Sequence, residues 1–233
     1  MSSTKRDARV AGLWYLLLVF GGPLRLIYIP NRLFVHDNAA ATASNIAAHE
    51  WLFRWGMVSE LAGAVILIFL TMAFYRLFKA VDQRLAAMVV IFGGVMPALI
   101  NFVNSVSDAG ALMMVRGGGF LSVWDKPQRD ALAMLFLRLH DAQYTAAETL
   151  WGVWLIPLAM LVYKSRFLPR FLGVWLMING VAYVVLSLTG LLWPQYENKV
   201  FLFGQPAFFG ELALMLWLVI AGAKEPAPAA AAA

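Results

Sequence analysis

Hydrophobic residues occur along this chain in six long runs, which short polar segments separate. The runs cover residues 8–29, 52–77, 85–105, 131–163, 171–192 and 207–221. A helix of about 20 mainly apolar residues crosses the ~30 Å hydrocarbon core of a bilayer. The pattern therefore predicts an all-α fold, a polytopic membrane helix bundle with about six transmembrane helices and the lipid bilayer around it. We expect a multi-pass membrane protein.

The composition agrees with a membrane protein and indicates a single folded domain. Of the 233 residues, 62% are hydrophobic and 13% are charged, whereas soluble domains carry about 25% charged residues. No polar stretch is long enough to form a second core, so residues 1–224 are predicted to form a single transmembrane helical domain. Residues 225–233 contain one glutamate and otherwise only proline and alanine, a composition typical of a disordered tail.

The lysines and arginines are distributed unequally between the two sides of the predicted bundle. Ten lie in segments on the side that holds the termini: Lys5, Arg6, Arg9, Arg76, Lys79, Arg84, Lys164, Arg166, Arg170 and Lys224. Five lie on the other side: Arg32, Arg116, Lys126, Arg129 and Lys199. Because cytoplasmic loops are enriched in these residues, the asymmetry places both termini in the cytoplasm. The net charge of +5 lies in these short segments and not on one soluble face, so we expect no nucleic-acid partner.

The longest segment on the outer side, residues 30–50, contains a helix signal of its own. Asp37 or Asn38 can accept a hydrogen bond from a free backbone N–H at the start of a helix. Alanine predominates in the stretch that follows. The sequence therefore predicts a short outer helix over residues 39–48, which leads into the second span.

Polar residues inside the apolar runs define a candidate cavity. We estimated their depth by counting from the basic residues at the cytoplasmic helix ends at 1.5 Å per residue. A first level lies about 20–25 Å above the inner boundary and contains Arg25, Glu60, Asn101, Glu148 and Glu211. A second level lies roughly 30–36 Å up and contains Arg54, Asn104, Asp108, His140 and Tyr144. Because charged residues in a membrane usually face the bundle interior, these ten residues are predicted to line an outward-facing, ligand-binding polar cavity.

The helical spacing of these residues predicts which of them share a face. The third helix carries one polar stripe: Asn101, Asn104, Ser105 and Asp108. The fourth helix carries another: His140, Tyr144, Glu148 and Trp151. Arg54 and Glu60 are about 120° apart on an ideal helix and should not share a face. An unpaired guanidinium at this depth is costly, so we expect Arg25 to pair with a deep carboxylate, with Glu60 as the first choice.

Metal and cofactor signals are weak in the sequence. The chain has no cysteine and three histidines, and no two histidines have the spacing of a helical metal motif. His140 can be drawn with Asp141 and Glu148 as a metal site, but a satisfied histidine near the membrane surface is the simpler interpretation. The sequence therefore predicts no metal site and identifies no cofactor.

Several short motifs resemble the bacterial membrane family called domain of unknown function 4386. They are Arg9-Val-Ala-Gly-Leu-Trp-Tyr15, Leu52-Phe-Arg-Trp-Gly56, Tyr75-Arg-Leu-Phe-Lys79, Trp151-Gly-Val-Trp-Leu-Ile-Pro157 and Tyr163-Lys-Ser-Arg-Phe-Leu-Pro-Arg-Phe-Leu-Gly173. The resemblance covers nearly the whole chain apart from the tail and implies an inner-membrane protein with about six helices. It implies no catalytic residue. Arg54 lies within one motif and Glu148 lies next to another.

The sequence leaves three classes of function open. The first is binding or transport of a small polar or amphiphilic molecule, either a small metabolite or a lipid, in the polar cavity. The second is an intramembrane enzyme that uses Glu148 or Glu60 as acid or base with assistance from His140. The third is a non-catalytic accessory membrane subunit, in which the polar residues only hold helices together.

Overall fold

The computed structural model describes residues 3–224, and these residues form helices with no strand among them. Six helices are long and apolar enough to cross a membrane: Thr4–Leu33, Glu50–Phe78, Gln83–Arg116, Lys126–Lys164, Arg170–Leu192 and Pro194–Ile220. The predicted all-α, six-span architecture is therefore confirmed, and the chain is a multi-pass membrane protein. Residues 225–233, predicted to be a disordered tail, lie outside the described part of the chain.

Nine α-helices, numbered along the described residues, make up these spans and their connections. Their bounds are α1 Ser3–Pro23, α2 Ile29–Leu33, α3 Ala39–Ala48, α4 Glu50–Phe78, α5 Gln83–Val90, α6 Met96–Arg116, α7 Lys126–Lys164, α8 Arg170–Leu192 and α9 Glu197–Ile220. Two π-helical turns, Leu24–Tyr28 and Ile91–Val95, join α1 to α2 and α5 to α6. Each of these pairs therefore forms one continuous span.

The six spans form a closed ring. Neighbours pack in the order α1, α4, α6, α7, α8 and α9, and α9 returns to contact α1. The described chain begins and ends on one side of the ring, because the backbone N–H of Lys224 donates to the carbonyl of Phe167 in the α7–α8 loop and Gly222 lies against Lys5. We call this the terminal side and the opposite one, which carries α3, the distal side.

Aromatic and leucine side chains fill the terminal half of the ring. Phe74, Phe78, Leu155, Leu158 and Leu172 are all fully buried there. A smaller apolar cluster closes the distal side, where Ile46 of α3 packs with buried side chains of α2, α4, α6 and α7. The space between the two apolar layers is left for the polar residues.

The short outer helix forms as predicted. It covers Ala39–Ala48, and the side chain of Asn38 accepts a hydrogen bond from the backbone N–H of Ala41 at 2.9 Å. Thr42 and Asn45 then bind backbone groups of the preceding residues Val35 and Leu33. These contacts fix α3 across the distal end of the bundle.

Proline explains where the two composite spans change their winding. Pro30 stands two residues after the first π-helical turn, and Pro97 stands two residues after the second. A proline inside a helix lacks an N–H and displaces the preceding turn, so the local hydrogen-bond pattern must shift. The first of these turns carries Arg25, and the change in winding therefore alters the direction of that side chain relative to a regular helix.

The helices α1 and α9 pack closely only toward the terminal side. A Cβ atom placed on Gly12 would lie 2.8 Å from the backbone nitrogen of Val219, whereas one placed on Gly21 would meet no atom within 4 Å. The two helices therefore touch at backbone distance near Gly12 and leave free space one to two turns after Tyr15. We call the border between the first and the last span the α1–α9 seam. It runs from Gly12 to Ile27 on the first span and from Gln205 to Val219 on the last.

The last helix begins earlier than the hydropathy pattern predicts. The sequence places its start at residue 207, but α9 begins at Glu197. The intervening residues include Asn198, Lys199 and Gln205, whose polarity ends the apolar run without ending the helix. Helix boundaries follow backbone hydrogen bonds, and hydropathy does not report them.

Candidate functional site

A cavity of about 490 Å³ lies inside the distal half of the ring. Residues of α1, α4, α6, α7, α8 and α9 line it, so every spanning helix contributes to its wall. Its volume falls in the range of about 300–1,000 Å³ that is usual for small-molecule sites. The cavity is therefore large enough for a ligand and lies at the depth where the sequence predicts polar residues.

The cavity opens sideways through the α1–α9 seam. Ile27 and Phe209 line the cavity and are also 58% and 52% exposed on the outside of the bundle. Leu26 and Leu212 also line the cavity and are exposed on the outside of the bundle. Because these residues belong to spanning helices, their exposed sides face lipid. The cavity therefore borders the outer surface of the bundle between the distal halves of the first and last spans.

Five of the ten predicted site residues line this cavity: Arg25, Glu60, Asn101, Tyr144 and Glu211. They come from five parts of the ring, namely the first π-helical turn, α4, α6, α7 and α9. Most of the remaining wall is apolar or aromatic, including Trp151, Trp154 and Tyr183. The cavity thus combines a mainly apolar surface with a few polar groups, as ligand sites usually do.

Arg25 pairs with Asp108, and the expected pairing with Glu60 is wrong. The Nε atom of Arg25 donates to Oδ2 of Asp108 at 2.9 Å, and a second guanidinium nitrogen donates to Oδ1 at 2.8 Å. Both side chains are buried, and the arginine also lies over the ring of Phe34. The π-helical turn directs Arg25 toward α6 rather than α4. Each charge is compensated by the other, as a buried ion pair requires.

Glu60 binds Tyr144 instead. The Tyr144 hydroxyl donates to Oε1 of Glu60 at 2.9 Å, while Oε2 is buried and has no hydrogen-bond partner among the described residues. Glu60 itself is 5% exposed. A buried carboxylate oxygen without a partner is costly. This atom is therefore a position where a donor or a cation would be stabilised.

His140 lies next to both carboxylates. Its Nδ1 atom is 3.2 Å from Oδ1 of Asp108, but neither ring nitrogen has a hydrogen bond with acceptable geometry among residues 3–224. One ligand atom each from Glu60, Asp108 and His140 lie within 4.8 Å of one another. We call these three residues the acid–histidine cluster. Spacing along the chain could not reveal it, because each member comes from a different helix.

A second polar contact bridges the seam on the terminal side of the cavity. The hydroxyl of Tyr15 in α1 donates to Oε1 of Glu211 in α9. Tyr183 of α8 lines the same part of the cavity, and Asn179 is fully buried one turn away from it. Tyr15, Tyr183 and Asn179 are not among the site residues predicted from the sequence. In a chain rich in aromatic residues, the two tyrosines do not stand out as site residues. Asn179 could have been predicted, because an asparagine within an apolar run often forms hydrogen bonds between membrane helices.

Five predicted residues do not line the cavity: Asp108 and His140, which belong to the acid–histidine cluster, and Arg54, Asn104 and Glu148. Arg54 binds Glu50 at 2.7 Å one turn earlier on α4, at the distal surface, so its expected place in the cavity is wrong. Glu50, at the start of α4, binds Arg54 on a face of the helix that differs from the face of Glu60. Asn104 is fully buried beside the cavity without a hydrogen-bond partner. Glu148 is half-buried on α7, and no hydrogen bond or ion pair among the described residues joins it to His140.

Comparisons with known proteins agree with the motifs in the sequence. A curated protein of Archaeoglobus fulgidus, named only as an uncharacterized protein, is 34% identical over 92 residues, which cover 37% of this chain and 54% of that protein. The chain thus matches about half the length of this relative. No solved structure matches the chain. The family described as Domain of unknown function (DUF4386) matches residues 10–222, nearly the whole described chain. The protein therefore belongs to the DUF4386 family.

Proposed function

We propose that the protein binds an amphiphilic molecule, which enters the cavity from the bilayer through the α1–α9 seam. The polar head of the ligand would lie among Arg25, Glu60, Asn101 and Tyr144, and its tail would leave between the distal halves of α1 and α9. The observation that carries this proposal is that Ile27 and Phe209 both line the cavity and are exposed on the lipid-facing side of the bundle.

The shape of the cavity supports an amphiphile over a wholly polar solute. A polar metabolite would have to leave water and pass an opening lined mainly by apolar side chains such as Leu26, Ile27 and Phe209, which cannot replace its hydration. An amphiphile is already in the bilayer and keeps its tail in apolar surroundings throughout. Only its head exchanges contacts, and the hydrogen-bonding groups of the cavity wall are placed to receive it.

The unpartnered groups support a binding site over a purely structural polar layer. If the polar residues only held helices together, their donors and acceptors would pair with one another. The Arg25–Asp108 pair has this property, but Oε2 of Glu60 and Nε2 of His140 have no partner among the described residues. The accessory-subunit alternative therefore has less support than binding.

An enzyme remains a second candidate because of one contact. His140 lies 3.2 Å from Asp108 and close to Glu60, which is the type of arrangement that holds an acid or base in place. The predicted combination of His140 with Glu148 has no contact to support it. Chemical conversion of a bound amphiphile by the purified protein, lost in His140→Gln, would select this candidate.

Native mass spectrometry with a cavity-filling variant tests the binding proposal. A Cβ atom on Gly63 would meet no atom within 4 Å, and this residue lines the cavity, so Gly63→Leu should fill it without a clash. Ala62→Leu is the matched control, because the neighbouring residue is exposed on the outside of the same helix. Protein gently extracted from membranes should carry an amphiphile in the wild type and in Ala62→Leu, and lose it in Gly63→Leu. Equal retention in both variants, or a wild type that carries none, would contradict the proposal.

A further inference from the structure

The acid–histidine cluster has the donor set of a metal site. Glu60, Asp108 and His140 project from α4, α6 and α7, and their ligand atoms lie within 4.8 Å of one another. The three side chains are 5%, 0% and 1% exposed. Carboxylate oxygens and imidazole nitrogens together bind zinc and other divalent ions of the first transition row. Acidic residues on a protein surface often come together without a metal, but this cluster is buried within the bundle.

The cluster also contains buried atoms that need a partner. Nδ1 of His140 is in contact with Asp108, but Nε2 of His140 and Oε2 of Glu60 have no hydrogen-bond partner among the residues that the structure describes. Leaving such a group unpaired in a protein interior costs about 1–3 kcal/mol. One cation held between the imidazole and the two carboxylates would give a partner to atoms on both His140 and Glu60.

The surrounding charges are compatible with a divalent cation. Arg25 and Asp108 compensate each other, and among the described residues no cationic side chain forms an ion pair with Glu60. Asp108 can still act as a ligand, because an ionised carboxylate offers about four acceptor positions and Arg25 uses two of them. Tyr144 holds the other oxygen of Glu60, as outer groups commonly do for metal-binding carboxylates.

We propose that Glu60, Asp108 and His140 bind one divalent transition-metal ion of the zinc or manganese type. Three protein ligands leave at least one coordination position open. Because Glu60 also lines the cavity, the ion would lie at the cavity edge, where a ligand atom could reach it. This proposal stands on the cluster geometry alone and does not require that the cavity binds an amphiphile.

Metal titration of the purified protein tests the site directly. The protein is prepared with an affinity tag that contains no histidine, stripped with a chelator and titrated with Zn²⁺, Mn²⁺ or Mg²⁺. We expect one Zn²⁺ or Mn²⁺ per chain and weaker binding of Mg²⁺, which prefers oxygen ligands and retains its water. Co²⁺ should bind at the same stoichiometry and give visible absorption bands that report coordination by the protein.

Matched substitutions distinguish the cluster from other residues. Glu60→Gln and His140→Gln should weaken metal binding by at least about 100-fold, because each removes a metal ligand. The loss of a group that only holds a ligand in place has a smaller effect. Glu148→Gln and His49→Gln change the same residue types elsewhere and should bind as the wild type does. Tyr144→Phe removes only the hydroxyl that holds Glu60 and should weaken binding by about 10–100-fold.

Two results would overturn the proposal. One is the absence of saturable binding in the wild type, which would leave a cluster that holds only protons and water. The other is equal binding in the folded wild type, Glu60→Gln and His140→Gln, which would place the ion elsewhere. If both variants fail to fold, the Co²⁺ absorption spectra of the wild type and Tyr144→Phe decide: a changed or weakened spectrum in the variant supports the site, and identical spectra at equal affinity contradict it.

Discussion

Arg25 and Asp108 are 83 positions apart in the chain and form a two-point ion pair inside the membrane, with N–O distances of 2.9 and 2.8 Å. The pair joins the first span to the third beneath the distal apolar cluster. Both residues are almost fully buried. Loss of one partner would therefore leave a charge without compensation in an apolar surrounding.

This pair gives the first prediction. Arg25→Leu should destabilise the protein by about 3–5 kcal/mol, because it removes the guanidinium that compensates the buried carboxylate of Asp108. Arg25→Leu combined with Asp108→Leu should recover much of that loss. The measurement is unfolding of the purified protein in detergent with a chelator present, so that metal binding does not contribute. Arg25→Leu combined with Glu60→Gln is the control, and equal recovery in this double variant would show that Glu60 is the true partner.

The close contact of α1 with α9 gives the second prediction. A methyl group at Gly12 would lie 2.8 Å from the backbone of Val219, whereas a methyl group at Gly21 would meet nothing within 4 Å. Both changes to alanine remove the same backbone freedom. Gly12→Ala should therefore be less stable than Gly21→Ala by about 1–3 kcal/mol, the usual cost of overpacking. Thermal unfolding in detergent measures the difference, and equal midpoints would mean that the helices are farther apart than described.

Asp82 in the α4–α5 loop gives a pH-dependent prediction. Its carboxylate accepts a hydrogen bond from the backbone N–H of Leu85 and binds Lys164, each at 3.1 Å, and these contacts lower the pKa of Asp82 from its usual value, the backbone bond most. A lowered native pKa adds stability above the unfolded value of about 3.9, and this stability disappears as the pH falls through the native pKa.

The variant Asp82→Asn should therefore unfold at a lower temperature than the wild type near pH 7, and the gap should close toward pH 3. Lys164→Met should produce a smaller gap, because it leaves the backbone hydrogen bond in place. Melting temperatures measured at several pH values check both expectations. A gap that stays constant with pH would show that the charge of Asp82 does not contribute.

The orientation of the bundle gives the fourth prediction. The asymmetry of lysine and arginine predicts that the α4–α5 loop is cytoplasmic and that the segment between α6 and α7 faces outward. Cysteine can be placed singly at Ala80 and Ser122, since the chain has none and both positions are exposed. A membrane-impermeant thiol reagent should label Ser122→Cys but not Ala80→Cys in intact cells. Lysed cells should show labelling of both, and the reverse pattern in intact cells would invert the orientation.

Counting along the helices predicted several residues that line one cavity, but it did not predict their contact partners and it also included Glu148, which does not line the cavity. Counting residues from the basic helix ends placed Arg25, Glu60 and Glu211 at one level, and the structure places all three on the wall of one cavity. The count assumes regular helices and gives no rotation about the helix axis. The π-helical turn at Leu24–Tyr28 changes this rotation, which is why Arg25 reaches Asp108.

The acid–histidine cluster shows the same limit of sequence patterns. Glu60, Asp108 and His140 contribute one residue from each of three helices, so no spacing within a single helix records their proximity. Local signals were sufficient elsewhere: the cap residue before α3 and its bounds at Ala39–Ala48 follow from short-range hydrogen bonding. Contacts within one helix turn can be read from sequence, but contacts between helices depend on how the whole ring packs.

The α1–α9 seam joins the first and the last spanning helices of the chain. Every other neighbouring pair in the ring is joined by a segment of chain, but these two helices are far apart in sequence. Widening the seam therefore stretches no loop and strains no covalent connection. During synthesis, the N-terminal part of a chain is released first, so the first five spans would be available before α9 to close the ring. Until then the polar wall would face lipid, and the membrane-insertion machinery would have to shield Glu60 and its neighbours.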